Sequence, residues 1–314
     1  MMDEIEIKLG FSASLKHDVI EALTSMLGEP LEGRSLFNIY FDTPDLSLRK
    51  SRWALRVRDL GKGGHEQTVK GQGKAEAGLH RRIEHNWPLR SKQPDLTLLD
   101  QVAGFPEVCR EQIRPAFSTD FSRTLWLVDI PESKSRVEVV FDVGTISADQ
   151  DGVLSISEME LELKVGQIDA LIQVAEKLVR NIPCWLYTPS KAARGYGLLA
   201  QNNDEMFNNI GAINSLNGWV DVAGRYMQQI TTRHKGGLNQ TNNSGESDIR
   251  PLIEVLNDLL EAADLDDALW RSMMKEGEQL LKADSMSDQA ETLERSTWFG
   301  RIGIEILKLT IAKR

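Results

Sequence analysis

The stretch Ser157–Gly166, SEMELELKVG, decides the fold. Alternate side chains of a β-strand point to opposite faces, so Glu158, Glu160, Glu162 and Lys164 share one face and Met159, Leu161, Leu163 and Val165 the other. Same-face neighbours lie about 7 Å apart. At an effective dielectric near 20, each carboxylate pair then repels by about 2 kcal/mol. Such a row needs counter-charges: either cross-strand ion pairs on a solvated face or a bound cation.

A second stretch repeats the pattern. In Glu4–Lys8, EIEIK, Glu4, Glu6 and Lys8 point one way while Ile5, Ile7 and Leu9 point the other. Two strands far apart in the chain thus offer the same acidic pair and lysine, as the two halves of a hard-cation site would. Further runs add the opposite sign. Arg52, Ala54, Arg56 and Arg58 share a face opposite Trp53, Leu55 and Val57, and Arg136, Glu138 and Asp142 oppose Val137, Val139 and Phe141.

The chain has 314 residues, 41% hydrophobic and 27% charged, ample for a core and unlike a disordered segment. Its formal net charge of -10 argues against a broad nucleic-acid footprint. Cys109 and Cys184 are too few for a disulfide framework. The first residues read as a charged strand without a signal-peptide core, and no run approaches the length of a membrane span. The expectation is a cytoplasmic protein without membrane or nucleic-acid partners. Its oligomeric state is not legible.

About eight strands precede residue 190. Helices are expected over Ser14–Leu27 and Gln167–Asn181, a turn at Asp42–Asp45 and a flexible connection at Gly71–Gly78. Pro-punctuated irregular chain with short helical pieces fills Ser91–Pro115, and CWLYT, Cys184–Thr188, is strand-like. Ser190 can cap a short helix on which Lys191 and Arg194 are neighbours. Trp53, Trp87 and Trp126 are expected in the core, His80 and His85 to be structural, and Asp42 to do turn chemistry. Residues 205 to 314 read as helices. Phe207–Ile230 makes an apolar stripe, Lys235–Asp248 a loop, and Ile249–Ala263, Leu265–Leu281 and Asp288–Lys313 further helices.

An open sheet would leave the charged face in water, and no site would be needed. A closed sheet turns it into a lumen where both signs meet at low dielectric. Carboxylates suit Mg²⁺ or Mn²⁺, and Arg and Lys suit phosphate oxygens. Such a lumen binds a metal–polyphosphate. No Walker A loop or Rossmann fingerprint occurs, so side chains would hold the phosphates.

In order, EIEIK, the Arg56–Arg58 pair, Lys70, GLHRRIEHN (Gly78–Asn86), STDFSR (Ser118–Arg123), ELELK (Glu160–Lys164) and SKAARGY (Ser190–Tyr196) resemble the CYTH family, the triphosphate tunnel metalloenzymes, nearest to bacterial inorganic triphosphatases. The resemblance covers about residues 3 to 200. It implies an α+β fold: a closed eight-stranded antiparallel β-barrel, or tunnel, with flanking helices over residues 1–202, followed by an all-α segment over 203–314. It also implies a hydrolase that splits inorganic tripolyphosphate into pyrophosphate and phosphate with Mg²⁺ or Mn²⁺, two ions in the active complex. Glu4, Glu6, Glu160 and Glu162 become the metal ligands, with Glu4 or Glu6 as the catalytic group that orients water. Lys8, Arg56, Arg58, Lys70, Arg82, Arg123, Lys191 and Arg194 become the phosphate ligands. Glu138 and Asp142 become lumen carboxylates that complete the metal shell or orient these cations. The same scaffold also carries adenylate cyclases and thiamine or nucleoside triphosphatases, and a non-catalytic sensor of polyphosphate or metal-nucleotide is a further alternative. Relatives often add a CHAD domain, helical and rich in His and basic residues. Here residues 205–314 carry 12 Lys+Arg, 17 Asp+Glu and one histidine, His234. That leaves a reduced CHAD-like bundle, a partner surface or a packing support.

Overall fold

The computed structural model describes residues 3–61, 63–76, 79–148, 152–199, 213–233, 249–265, 267–282 and 291–312. Nine antiparallel strands form one sheet: β1 (Asp3–Gly10), β2 (Glu32–Asp42), β3 (Ala54–Gly61), β4 (Gly64–Glu76), β5 (Leu79–Leu89), β6 (Arg114–Ile130), β7 (Ser135–Ala148), β8 (Gly152–Val165) and β9 (Trp185–Leu186). Their order is β5-β4-β3-β2-β6-β7-β8-β1-β9, and the sheet curls until β5 also pairs with β1. β1 therefore has a divided edge. Asp3–Ile7 pairs with β5, and Leu9–Gly10 pairs with the short β9 on the same side, while β8 holds the other side.

Two expectations for the sheet need correction. Among the described residues the strands number nine, because β9 continues along β1 where β5 leaves it. Gly71–Glu76, expected to be a flexible connection, belongs to β4: β5 supplies the ladder, with a register shift between Lys70 and Gly73, and Gly71 lies where a Cβ would meet the Trp53 ring at 2.8 Å. Residues 77 and 78 lie outside the described residues.

The apolar faces of β1, β7 and β8 bury Ile7, Leu9, Val137, Val139, Met159 and Leu161 against α1 (Lys16–Leu27) and α3 (Ile168–Asn181). A single turn, α2 (Ser47–Lys50), follows β2, and the Asp42 carboxylate accepts the N–H groups of Thr43, Leu48 and Arg49 at 2.7, 2.9 and 3.0 Å. That is turn chemistry. α4 (Lys191–Leu199) covers a second cluster of Leu36, Tyr40, Phe117, Phe121, Ile146 and Ile156 with its own Tyr196 and Leu198.

The C-terminal helices are α5 (Leu216–Arg233), α6 (Arg250–Ala262), α7 (Ala268–Leu280) and α8 (Trp298–Ala312). The expected helix from Asp288 instead breaks at residues 295–297, where the Ser296 hydroxyl accepts the Trp298 N–H at 3.1 Å and starts α8. The expected loop at 235–248 and the start of the stripe at 207–212 lie outside the described residues. α5 and α8 pack on β9, and α8 also packs on α3, so one apolar core runs from Ile7 through Leu178 to Ile306. The approach is close. A Cβ on Gly224 would collide with the Leu186 carbonyl oxygen, and one on Gly300 would lie 2.7 Å from the Cys184 oxygen.

Gly224→Val is expected to lower the unfolding free energy by about 1–3 kcal/mol. Denaturant unfolding followed by tryptophan fluorescence and circular dichroism should show one shared transition before and after the change. Separate transitions for sheet and helices would contradict the continuous core.

Candidate active site

The polar faces of the strands enclose a cavity of about 630 Å³. Among the described residues, ten basic and seven acidic side chains line it. Closely held opposite charges in a poorly solvated space attract strongly, but each ion gives up its hydration to be there. The arrangement of the two signs therefore decides what the cavity takes.

Register builds the acidic wall. Glu138 on β7 lies directly opposite Glu162 on β8, and Glu162 directly opposite Glu6 on β1. Three carboxylates thus stand side by side across three adjacent strands, an arrangement that repels without a cation. Lys164 reaches Glu162 at 3.0 Å and Glu138 at 3.9 Å. Burial, with Glu4 and Glu138 nearby, still raises the Glu162 pKa against the pull of Lys164. Oxygen donors in this number, without His or Cys, are what a hard divalent cation requires.

One step along the strands a second cluster forms. Glu160 receives Lys8 Nζ at 2.7 Å, Lys191 Nζ at 3.1 Å and Arg123 Nη2 at 2.8 Å. Asp142, fully buried, takes a bidentate pair from Arg123 at 2.8 and 2.6 Å and Lys191 at 2.7 Å. Glu158, also fully buried, binds Lys8 at 3.3 Å, Lys191 and Arg194. Burial opposes ionisation of Glu160, yet Lys191, Lys8 and Arg123 hold its carboxyl well below the usual range. Oxygens of Asp142, Glu158 and Glu160 lie within 4.8 Å of one another, the tightest carboxylate trio among the described residues. Two lysines and two arginines already neutralise it.

β2 to β5 supply the basic wall. Arg56 and Arg58 lie opposite Tyr40 and Asn38. The Arg58 Nε donates to Asn38 Oδ1 at 2.9 Å and the Arg56 Nη2 to Thr68 Oγ1 at 2.8 Å. Among the described residues, the buried Nε of Arg56 has no hydrogen-bond partner. Burial, with Arg56 and Arg123 close by, pulls the Arg58 pKa down to about 9. A guanidinium keeps its proton at neutral pH, so Arg58 stays cationic beside two like charges, where an anion is electrostatically favoured. Lys70 bridges Glu4 at 3.0 Å and Glu84 at 2.6 Å.

Of the residues singled out from the sequence, Glu4, Glu6, Lys8, Arg56, Arg58, Lys70, Arg123, Glu138, Glu160, Glu162 and Lys191 line this one cavity. Asp142 and Arg194 do not line it. Asp142 lies beneath it, orienting Arg123 and Lys191, and Arg194 is spent on Glu158 and stacks over Tyr187 at 5.3 Å. The Arg82 backbone pairs with Glu4, and its side chain lies outside the described residues. Ser190 caps α4 by accepting the Ala193 N–H at 3.1 Å. The sequence reading missed Arg34, Arg49, Glu66 and Asn86 as lining residues. Lys164 shared a face with Glu160 and Glu162, but its part as a counter-charge was not assigned.

A family model described as CYTH domain matches residues 2–196. The inorganic triphosphatase of Haemophilus influenzae is 38% identical over 203 residues, which cover 62% of this chain and 55% of that protein. The chain thus spans about half the length of that relative. Solved structures with a likeness include HpAC1 from Hippeastrum, at 17% identity over 62% of this chain and 95% of that one with a TM-score of 0.45. Another is the Mimivirus capping enzyme triphosphatase, at 15% identity over 57% and 89% with a TM-score of 0.35.

The site has a pH signature. Burial alone would raise the Glu84 pKa, but Lys70 and Arg56 hold it at about 2 against an ordinary 4.5. Its ion pairs therefore stabilise the fold fully above about pH 4.5, and the contribution is lost as pH falls through about 2. Glu84→Gln should cost stability near neutral pH and progressively less as pH falls through that window, read by denaturant titration at each pH. An equal cost throughout would contradict the ion-pair assignment.

Proposed function

The chain belongs to the CYTH family, and on that footing we propose that it is a metal-dependent inorganic triphosphatase, hydrolysing tripolyphosphate to pyrophosphate and phosphate in a charged tunnel. The observation that carries this reading is the pairing of the Glu6–Glu162–Glu138 row with Arg56, Arg58, Lys70 and Arg123 around one cavity. The return of β5 to β1 supports a tunnel closed by eight strands, with β9 outside the ring. Residues 1–202 would form this tunnel and residues 203–314 the helical segment. Among the described residues, no helix is long and apolar enough to cross a membrane. The reading sets the protein in the cytoplasm, acting on a small anion rather than on nucleic acid or a membrane.

The roles follow from charge and position. Arg56, Arg58, Lys70 and Arg123 hold the phosphate chain, Arg by paired N–H donors. Lys8 and Lys191 add positive charge from the opposite wall while remaining on Glu160. Glu6, Glu138 and Glu162, flanked by Glu4 and Glu160, would hold Mg²⁺ or Mn²⁺, which when bound neutralises phosphate oxygens. Glu4 or Glu6 orients the attacking water in line with the leaving pyrophosphate. Basic residues fixed before the reaction by Asn38, Thr68 and Asp142 need little rearrangement as charge develops, which is where such sites gain most of their rate.

The test is phosphate release from tripolyphosphate, ATP and thiamine triphosphate, each with Mg²⁺, Mn²⁺ or chelator. Tripolyphosphate should be preferred and chelator should abolish turnover. Arg58→Met should lower kcat/KM by about 10²-fold with the fold retained, and Glu162→Gln should lower metal-dependent turnover by about tenfold or more. Cyclic AMP formed from ATP, or tight binding without hydrolysis, would overturn the assignment in favour of a cyclase or a sensor.

A further inference from the structure

Lys8 and Lys191 meet at Glu158 and Glu160, yet they arrive from opposite ends of the CYTH region. Two short backbone segments set their positions. Lys8 is followed by Gly10, Phe11 and Ser12 at the exit of β1, and Lys191 is preceded by β9, Tyr187 and Thr188. The Tyr187 N–H donates to the Lys8 carbonyl oxygen at 2.9 Å, so the two segments are joined to each other.

Both segments are also held from the C-terminal helices. The Thr188 hydroxyl donates to the Asp221 carboxylate on α5, whose other oxygen pairs with Arg225 at 2.7 Å. Gly224, one turn on, lets α5 lie against the Leu186 carbonyl. At the other segment the Ser12 and Ser14 hydroxyls both donate to Glu294, in the helical turn 291–294. A buried lysine tolerates little displacement when its carboxylate partners are fixed on sheet strands, so whatever fixes these segments fixes the ammonium groups.

We propose that Asp221 and Glu294 are positioning residues for the phosphate site, the helical segment acting as a clamp that sets Lys191 through Thr188 and Lys8 through Ser12. The inference rests on the proposed binding of tripolyphosphate in the cavity. It also gives the acidic helical segment a task that needs no polyphosphate site of its own.

The experiment is calorimetric titration of the full chain with tripolyphosphate in the absence of divalent ions, with KM and kcat measured in parallel. Thr188→Val and Asp221→Ala should each raise the Kd and KM by about three- to tenfold with kcat little changed. The double variant should be no worse than the poorer single one, because both remove the same bond. Asp221→Asn, which keeps an oxygen to accept from Thr188, should restore affinity. Glu294→Ala should raise the Kd in the same sense, with an effect that adds to that of Asp221→Ala, and Glu294→Gln, which keeps the oxygen that accepts from Ser12 and Ser14, should restore it. A lowered thermal midpoint with unchanged Kd and KM would overturn the proposal, since it would mark purely structural contacts. So would additive effects of Thr188→Val and Asp221→Ala. Wild-type protein that neither binds nor hydrolyses tripolyphosphate would defeat the functional reading as well, whereas normal wild-type binding with unaffected variants would defeat this inference alone.

Discussion

Enclosing charge is costly, and the architecture turns on how that cost is met. Glu158 and Asp142 are fully buried, and Lys8 nearly so, where each isolated ion would lose several kcal/mol of hydration. They survive because each is shared: Lys191 reaches three carboxylates, and Arg123 ties Asp142 to Glu160. Replacing such a network with apolar residues would often give an equal or greater stability. Its presence therefore argues for work that apolar packing cannot do. Holding a divalent ion and a polyanion together in one cavity is work of that kind.

The sheet makes the sharing possible. Antiparallel register brings Glu138, Glu162 and Glu6 level across β7, β8 and β1, and the return of β5 to β1 brings Lys70 to Glu4. The apolar faces are equally constrained, since β1, β7 and β8 back onto α1 and α3, and β9 carries α5 and α8. The N-terminal strand that contributes Glu4, Glu6 and Lys8 is thus gripped on both edges and from behind. The proposed reaction needs these three groups at fixed separations, and support from both edges and from behind suits a strand with that task.

Much of this was legible in the chain because the period of a strand is two. Glu4, Glu6 and Lys8, like Glu160 and Glu162, could be assigned to one face from spacing, and both sets line the cavity. Spacing says nothing about register between distant strands, so the level row of Glu6, Glu162 and Glu138 could not be read. Arg49 lies in a turn whose direction depends on the Asp42 carboxylate gathering three backbone N–H groups. Arg194 shared a helix face with Lys191, yet α4 sinks it onto Glu158 beneath the cavity, a placement set by packing of Tyr196 and Leu198 on Phe117 and Ile156. The nine-strand count turned on β9, two residues whose pairing depends on where β5 leaves β1.

An acidic and a basic wall face each other across a single cavity, and the proposed reaction requires that both be filled together. Anomalous diffraction from crystals grown with Mn²⁺ and a non-hydrolysable tripolyphosphate analogue tests this most directly. Manganese is expected at the Glu6–Glu162–Glu138 row, directly coordinated by carboxylate oxygens, with phosphates against Arg56 and Arg58. Manganese and analogue on separate outer surfaces, with these carboxylates untouched, would contradict it.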